Sequence, residues 1–206
     1  MIRVVSALAC LTLLAACATL QPPSDEVQGI YVLEASPAPG PASTRVDIVL
    51  GVSAVRSRPG FDTPRMAFQR RPHEIEYFAR NFWVDTPGRM LAPLVARSLE
   101  QSGSFRGVVQ LPHAAAIDRR VDIELVRLLQ DFSTKPSRVR LTLRAQLIDT
   151  ATRRIVATRE LDDAEDAPTD DPYGGVIAAN RVLRRILGRL TELCAQQFSG
   201  LEPGSI

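Results

Sequence analysis

The chain has 206 residues and a mass of 22.6 kDa, the size of one domain with short extensions. Hydrophobic residues make up 45%, charged residues 23% and aromatics 5%, enough apolar material for a core, which excludes a wholly disordered or collagen-like chain. With 25 Lys+Arg against 23 Asp+Glu the formal net charge is +2, too balanced for the basic face of a nucleic-acid-binding protein.

The N-terminus carries a short positive start at Arg3 and an apolar run over residues 4–14. That run is well short of the ~20 residues a spanning helix needs. It closes on Leu14-Ala15-Ala16-Cys17, which resembles the lipobox of bacterial lipoproteins. The resemblance implies a signal peptide over residues 1–16, removed before Cys17. Cys17 would then be multiply acylated, palmitate included, and would hold the chain on a membrane surface. Cleavage at the other candidate, Cys10, would leave too short an apolar stretch. Of the 3 cysteines, only Cys194 then remains as a thiol, within an apolar helical stretch, so no intramolecular disulfide is expected. Residue 18 is Ala rather than Asp; without that retention residue the anchor points to the outer membrane, facing the periplasm, with the inner membrane as the alternative. Residues 17–27 are expected to supply the lipidated cysteine and a polar, proline-bearing tether.

The body is expected over residues 28–200, followed by a tail at 201–206. Residues 30–33 predict a short strand, and 35–44, with three prolines and a glycine, a loop. Residues 45–55 alternate, with Val46, Ile48, Leu50 and Val52 on one side, which predicts a half-buried strand. Two short strands, 66–69 and 74–78, follow, joined by a turn at Arg70-Arg71-Pro72-His73. Thr86 then Pro87 reads as a cap and first helical position. Met90, Leu91, Leu94, Val95 and Leu99 form one apolar stripe, and Gly103 ends the helix. Strands are predicted at 105–111, 121–129, 139–148 and 154–161. In the 139–148 strand Val139, Leu141 and Leu143 alternate with Arg140, Thr142 and Arg144, as on an antiparallel sheet with one wet face. The acidic stretch 162–171 predicts a solvated loop. A last helix starts at Asp171-Pro172. Tyr173, Val176, Ile177, Asn180, Leu183, Leu187, Leu190, Cys194 and Phe198 form its stripe, and Arg181, Arg184, Arg185, Arg189 and Glu192 its wet face. The order predicts an α+β two-layer domain: a mostly antiparallel sheet covered on one face by two helices.

Catalytic signatures are sparse. The 2 histidines, His73 and His113, lie in separate loops. His73-Glu74-Ile75-Glu76 lacks a second histidine four residues on, so no metal site is expected there. There is no GxSxG, glycine-rich phosphate loop or CxxC. The acidic run at 162–166 lacks the spacing and turn glycine of an EF-hand. No cofactor is implied, and no catalytic residue is assigned.

The segment 65–109 carries a combination of features. An Arg65-Met66-Ala67-Phe68 strand is followed by a charged turn and Ile75-Glu76-Tyr77-Phe78. Then come Trp83-x-Asp85-x-Pro87, an amphipathic helix and Gly103-x-Phe105. Together with Tyr31-Val32-Leu33 and the lipobox, this resembles the ABC-type transport auxiliary lipoprotein family, whose best-known branch is the outer-membrane lipoprotein of the paraquat-inducible intermembrane transport system. The resemblance spans residues 28–200. It implies a non-enzymatic docking or receiving subunit of an MCE-type lipid transport system, with an MCE-domain protein and an ABC permease and ATPase as partners. A homo-oligomer would suit that role.

Within that stretch Arg70 and Arg71 sit at a hairpin tip, able to meet lipid phosphates or an acidic partner, or to remain a solvated turn. Tyr77 and Trp83 read as core or helix-start aromatics or as partner contacts. Phe78 and Phe82 cannot both be buried with them on a two-sided strand, which leaves exposed apolar surface for a partner or lipid. Two other function classes stand beside the transport subunit. One is a structural or assembly lipoprotein of the envelope, which lacks the transport partners. The other is an anchored hydrolase, which would need a catalytic group such as His73 or His113.

Overall fold

The computed structural model describes residues 28–35 and 45–199. The expected signal peptide, Cys17, the tether, almost all of the 35–44 loop and the 201–206 tail lie outside the described residues.

Nine strands join in one sheet among the described residues: β1 (Gly29–Tyr31), β2 (Val46–Val52), β3 (Arg56–Ser57), β4 (Arg65–Gln69), β5 (Glu76–Trp83), β6 (Phe105–Gln110), β7 (Arg119–Asp131), β8 (Arg138–Asp149) and β9 (Arg154–Asp166). Strand β7 is the spine. Along one edge it pairs in parallel with β2 through Val121, with β3 through Glu124 and Leu125, and with β4 through Gln130 and Asp131. The long ladders, β7–β8 and β8–β9, are antiparallel and make the sheet mostly antiparallel, as the alternation in 139–148 predicts. The parallel contacts are short: β1 on β5, β2 on β6, and β2, β3 and β4 on β7.

Helices α1 (Pro87–Gln101) and α2 (Pro172–Ser199) supply the second layer. Leu91, Leu99, Leu125, Leu143, Leu183 and Leu187 are all fully buried where helices meet sheet. Each such side chain contributes about 1.5–3 kcal/mol relative to leaving it in water. α1 begins with Pro at its first position, and the Thr86 carbonyl accepts from the Arg89 and Met90 N–H groups (3.0 and 3.2 Å). The Thr86 side chain makes no capping bond. Gly103, at φ 65°, ends the helix in the left-handed conformation that glycine adopts without a Cβ penalty.

Several boundaries differ from expectation for identifiable reasons. The second strand of the 65–83 hairpin spans Glu76–Trp83, because β1 lies beside its C-terminal half through Asn81, Phe82 and Trp83. The strand predicted over 45–55 stops at Val52, and a separate short strand, β3, follows at Arg56–Ser57. The acidic stretch 162–171 is not a solvated loop over its first half: β9 continues to Asp166. Asp162 accepts from Arg140 (2.7 Å) and from the Thr142 hydroxyl on one face of the sheet, while Asp163 and Glu165 turn toward α2. The arginines of α2 are therefore not simply a wet face. Tyr173 is 60% exposed rather than part of the buried stripe, although its ring lies 6.2 Å from that of Tyr31.

Candidate functional site

The hairpin β4–β5 and the strand added beside it gather the aromatic and arginine residues singled out in the sequence. Ala67 faces Tyr77 and Phe68 faces Glu76 across the hairpin. Its turn holds His73 at φ 68°, a left-handed position in which histidine is over-represented among non-glycine residues. At the tip Arg70 pairs with Glu76 (3.2 Å). Arg71 grips Glu74 with two parallel bonds, Nε to Oε2 at 2.8 Å and Nη2 to Oε1 at 3.2 Å. That hydrogen bond to Glu74 raises the pKa of Arg71 above its ordinary value. Both arginines are exposed, so the pairs orient the guanidinium groups more than they stabilise the fold.

The aromatics separate into buried and accessible ones. Trp83 is buried in the core, and its backbone N–H donates to the Pro64 carbonyl (2.7 Å). The half-buried Tyr77 donates its hydroxyl to the Gly60 carbonyl (3.0 Å) and lies under the Arg65 guanidinium, 4.4 Å from the ring centre. Phe78 stands 4.5 Å from Phe68 and 6.2 Å from Phe132, with Arg70 over Phe68 at 5.0 Å; such ring contacts contribute beyond their buried area. Phe82 is half-buried. The hairpin thus brings Arg70 and Phe78 together at one end, with Phe82 at the other.

The N-terminal segment is fixed to the body at this edge. β1 runs parallel to β5 with Ile30 beside Phe82 and Tyr31 beside Trp83. Past β1, Asn180 of α2 accepts from the Glu34 N–H (2.6 Å) and donates to the Val32 carbonyl (3.4 Å) and to its own Val176 carbonyl (3.1 Å). Ile30, Val32 and Val84 are left 63%, 41% and 60% exposed.

At the opposite edge of the sheet, Arg185 reaches Asp163 (Nε, 2.8 Å), Glu165 (Nη1, 2.6 Å) and the Ala164 carbonyl (Nη2, 3.0 Å). Arg189 donates to the Asp162 carbonyl (3.2 Å). The hydrogen bond from Arg185 holds the Asp163 carboxyl below the usual carboxylate range, and Arg185 is raised in turn. An open, mixed-charge cavity of about 360 Å³ lies beside β3, lined by Arg56, Arg58, Asp122, Glu124, Arg144 and Gln146 among others.

His73 occupies the hairpin turn, and His113 Nδ1 accepts from the Ala115 N–H (3.0 Å), so the structure does not bring the two together. Among the described residues no cluster of three or more His, Cys, Asp or Glu is placed to hold a metal. Cys194 is fully buried, and burial pushes its thiol up to about 12. Sequence periodicity missed three features: the Asn180 clamp, whose signal is an amide inside an apolar helical stripe; the Arg185–β9 cross-link; and the apolar surface at Ile30 and Val84.

The model of the family described as ABC-type transport auxiliary lipoprotein component matches residues 31–190. Among solved structures, protein XCC0632 from Xanthomonas campestris, of the family model DUF330, is similar at 22% identity and TM-score 0.77. The match covers 83% of this chain and 97% of that one. An uncharacterized protein is similar at 14% identity and TM-score 0.61, over 84% of this chain and 99% of that one. At these identities the likeness is one of fold. No curated protein sequence matches the chain.

Proposed function

We propose that this chain, which belongs to the ABC-type transport auxiliary lipoprotein component family, serves an MCE-type system that moves lipids between the two membranes of an envelope. In this role it is a non-catalytic docking or receiving subunit, anchored through acylated Cys17 and facing the periplasm from the outer membrane. The family match over residues 31–190 carries the reading. Energy and the lipid path belong to the permease, ATPase and MCE-domain partners. The body supplies a rigid platform, and among its described residues no helix is long and apolar enough to cross a membrane.

The contact surface assigned to the protein partner is the tip of β4–β5. Arg70 and Arg71 are exposed there, with their guanidinium planes held by Glu76 and Glu74, and Phe78 is half-buried beside them. An exposed, oriented arginine pair next to aromatic surface matches an acidic, partly apolar partner. Tyr77 and Trp83 act through the fold, by holding the hairpin on the core.

The test is affinity purification of the full-length acylated protein from its own envelope, followed by mass spectrometry. Recovery of an MCE-domain protein with its permease is expected, and Arg70→Glu/Arg71→Glu should reduce it. Recovery of only envelope-assembly or cell-wall proteins would favour a structural lipoprotein. Membrane fractionation decides between the outer and inner membrane.

A further inference from the structure

We infer that the sheet edge formed by β1 and the end of β5 rests on a phospholipid surface through an apolar stripe of Ile30, Val32, Phe82 and Val84, with Arg65 beside it. The inference rests on the anchored-lipoprotein reading above.

Register builds the stripe. Ile30 lies beside Phe82 in a parallel pair, so both side chains share one face of the sheet. The alternate residues, Tyr31 and Trp83, turn to the other face: Trp83 is buried in the core, and Tyr31 packs against that core. Just past the strand ends the exposure alternates in the same sense: Val32 and Val84 are exposed, whereas their neighbours Leu33 and Trp83 are buried. The Val84 N–H bond to the Tyr31 carbonyl (2.7 Å) keeps the two segments aligned. Three of the four residues are 41–63% exposed and Phe82 is half-buried. Contiguous apolar surface of this kind on a folded domain marks a contact site.

Chemistry and chain length point to lipid as the occupant. Arg65 is exposed and opposite Phe82 in the β4–β5 register, with its guanidinium stacked on Tyr77 at 4.4 Å. Large aliphatic and aromatic side chains beside a presented arginine suit the boundary between acyl chains and anionic headgroups. The stripe is also the part of the body nearest the anchor along the chain. From Cys17 to Gln28 a fully extended chain spans at most about 40 Å, so acylation of Cys17 confines β1 to that distance from the bilayer.

The test uses the full-length acylated protein in phosphatidylethanolamine–phosphatidylglycerol vesicles. Ile30→Cys, Val84→Cys and, as a control in β9, Glu160→Cys each carry an environment-sensitive NBD label, and the buried Cys194 stays unlabelled. Circular dichroism checks folding, and the mass of the N-terminal peptide checks acylation. The expected result is blue-shifted emission at positions 30 and 84, quenched by lipids bearing a doxyl group near the headgroup, with position 160 unaffected. If Cys17 is acylated yet positions 30 and 84 are as water-exposed and unquenched as position 160, the lipid contact is overturned while the anchor reading stands. A blue shift that grows with protein density and ignores doxyl lipids would also overturn it, by assigning the stripe to a second copy of the chain. An unacylated Cys17 would overturn the anchor reading and this inference with it.

Discussion

The side-chain amide of Asn180 accepts a 2.6 Å hydrogen bond from the backbone N–H of Glu34 and so ties the chain leaving β1 to the N-terminal third of α2. The same amide donates to the Val32 carbonyl (3.4 Å), which makes one side chain satisfy two backbone groups of a segment that pairs with no strand. Leu33 and Ala35, 4% and 2% exposed, are held down by the same clamp. Asn180→Ala should cost about 1–2 kcal/mol in urea unfolding and should open residues 32–35 to proteolysis ahead of the rest of the domain. Equal protection in the variant would show that burial of Leu33 alone holds the segment.

How much of this was legible in the sequence depends on whether a signal is local. The alternation of 139–148, the Thr86-Pro87 start, the glycine stop and the apolar stripe of α1 are local, and the structure follows them. The β9 extension is not local. A run of carboxylates at 162–166 looks solvated until Arg140 and Arg185 stand on either side of it, and those partners lie about twenty residues away in sequence. The same holds for Asn180, whose amide lies in an apolar stripe only because the chain from β1 crosses over it. At the candidate site, the sequence located the aromatics but could not divide them. Trp83 is buried and Phe82 half-buried because β1 pairs in parallel with β5, a non-local contact.

Gly88 lies where α1 crosses the connection between β2 and β3. A Cβ placed there would stand 2.8 Å from the Val55 carbonyl oxygen and 2.7 Å from Ser57 Oγ. The carbonyl is backbone and cannot rotate away, so Gly88→Ala must shift the start of the helix. A loss of about 1–3 kcal/mol is expected, although alanine is the better intrinsic helix former. Thermal unfolding compared with Gly188→Ala, where a Cβ would meet nothing within 4 Å, isolates the steric cost; equal midpoints would refute it.

Cys194 is fully buried on α2, and burial pushes its thiol pKa up to about 12. At about pH 8 almost none of it is thiolate, whereas an unperturbed cysteine is about a quarter ionised. A thiol reagent should therefore modify the native protein only as fast as the core opens, and rapidly in urea. Fast stoichiometric labelling of the native protein would mean that the last turns of α2 separate from the sheet without global unfolding.

The guanidinium of Arg185 and that of Arg189 cover the Ala164 and Asp162 carbonyls of the outermost strand β9. The Ala164 N–H is taken by the Asp163 side chain (2.7 Å). Backbone groups left bare on an edge strand invite pairing with another chain. Arg185→Ala should thus promote self-association in sedimentation velocity, rising with concentration. Arg184→Ala, on an exposed position of the same helix, should remain like wild type. Identical sedimentation of both variants would show that the charges of β9 alone protect the edge.

The same cross-link sets a pH dependence. The hydrogen bond from Arg185 lowers the folded-state pKa of Asp163, and that from Arg140 lowers Asp162. A carboxyl whose folded pKa lies below its unfolded value of about 3.9 binds fewer protons when folded. It therefore contributes stability in full above that unfolded value and loses it as pH falls through the folded one. Asp163→Asn should be less stable than wild type by about 1 kcal/mol near neutral pH, a modest figure because Arg185 is 43% exposed and water screens the pair. The gap should narrow below about pH 4 and close once wild-type Asp163 is itself protonated. Urea midpoints for both proteins across that range check the sign. A gap that persists unchanged in acid would mean that Asp163 acts through packing rather than through its charge.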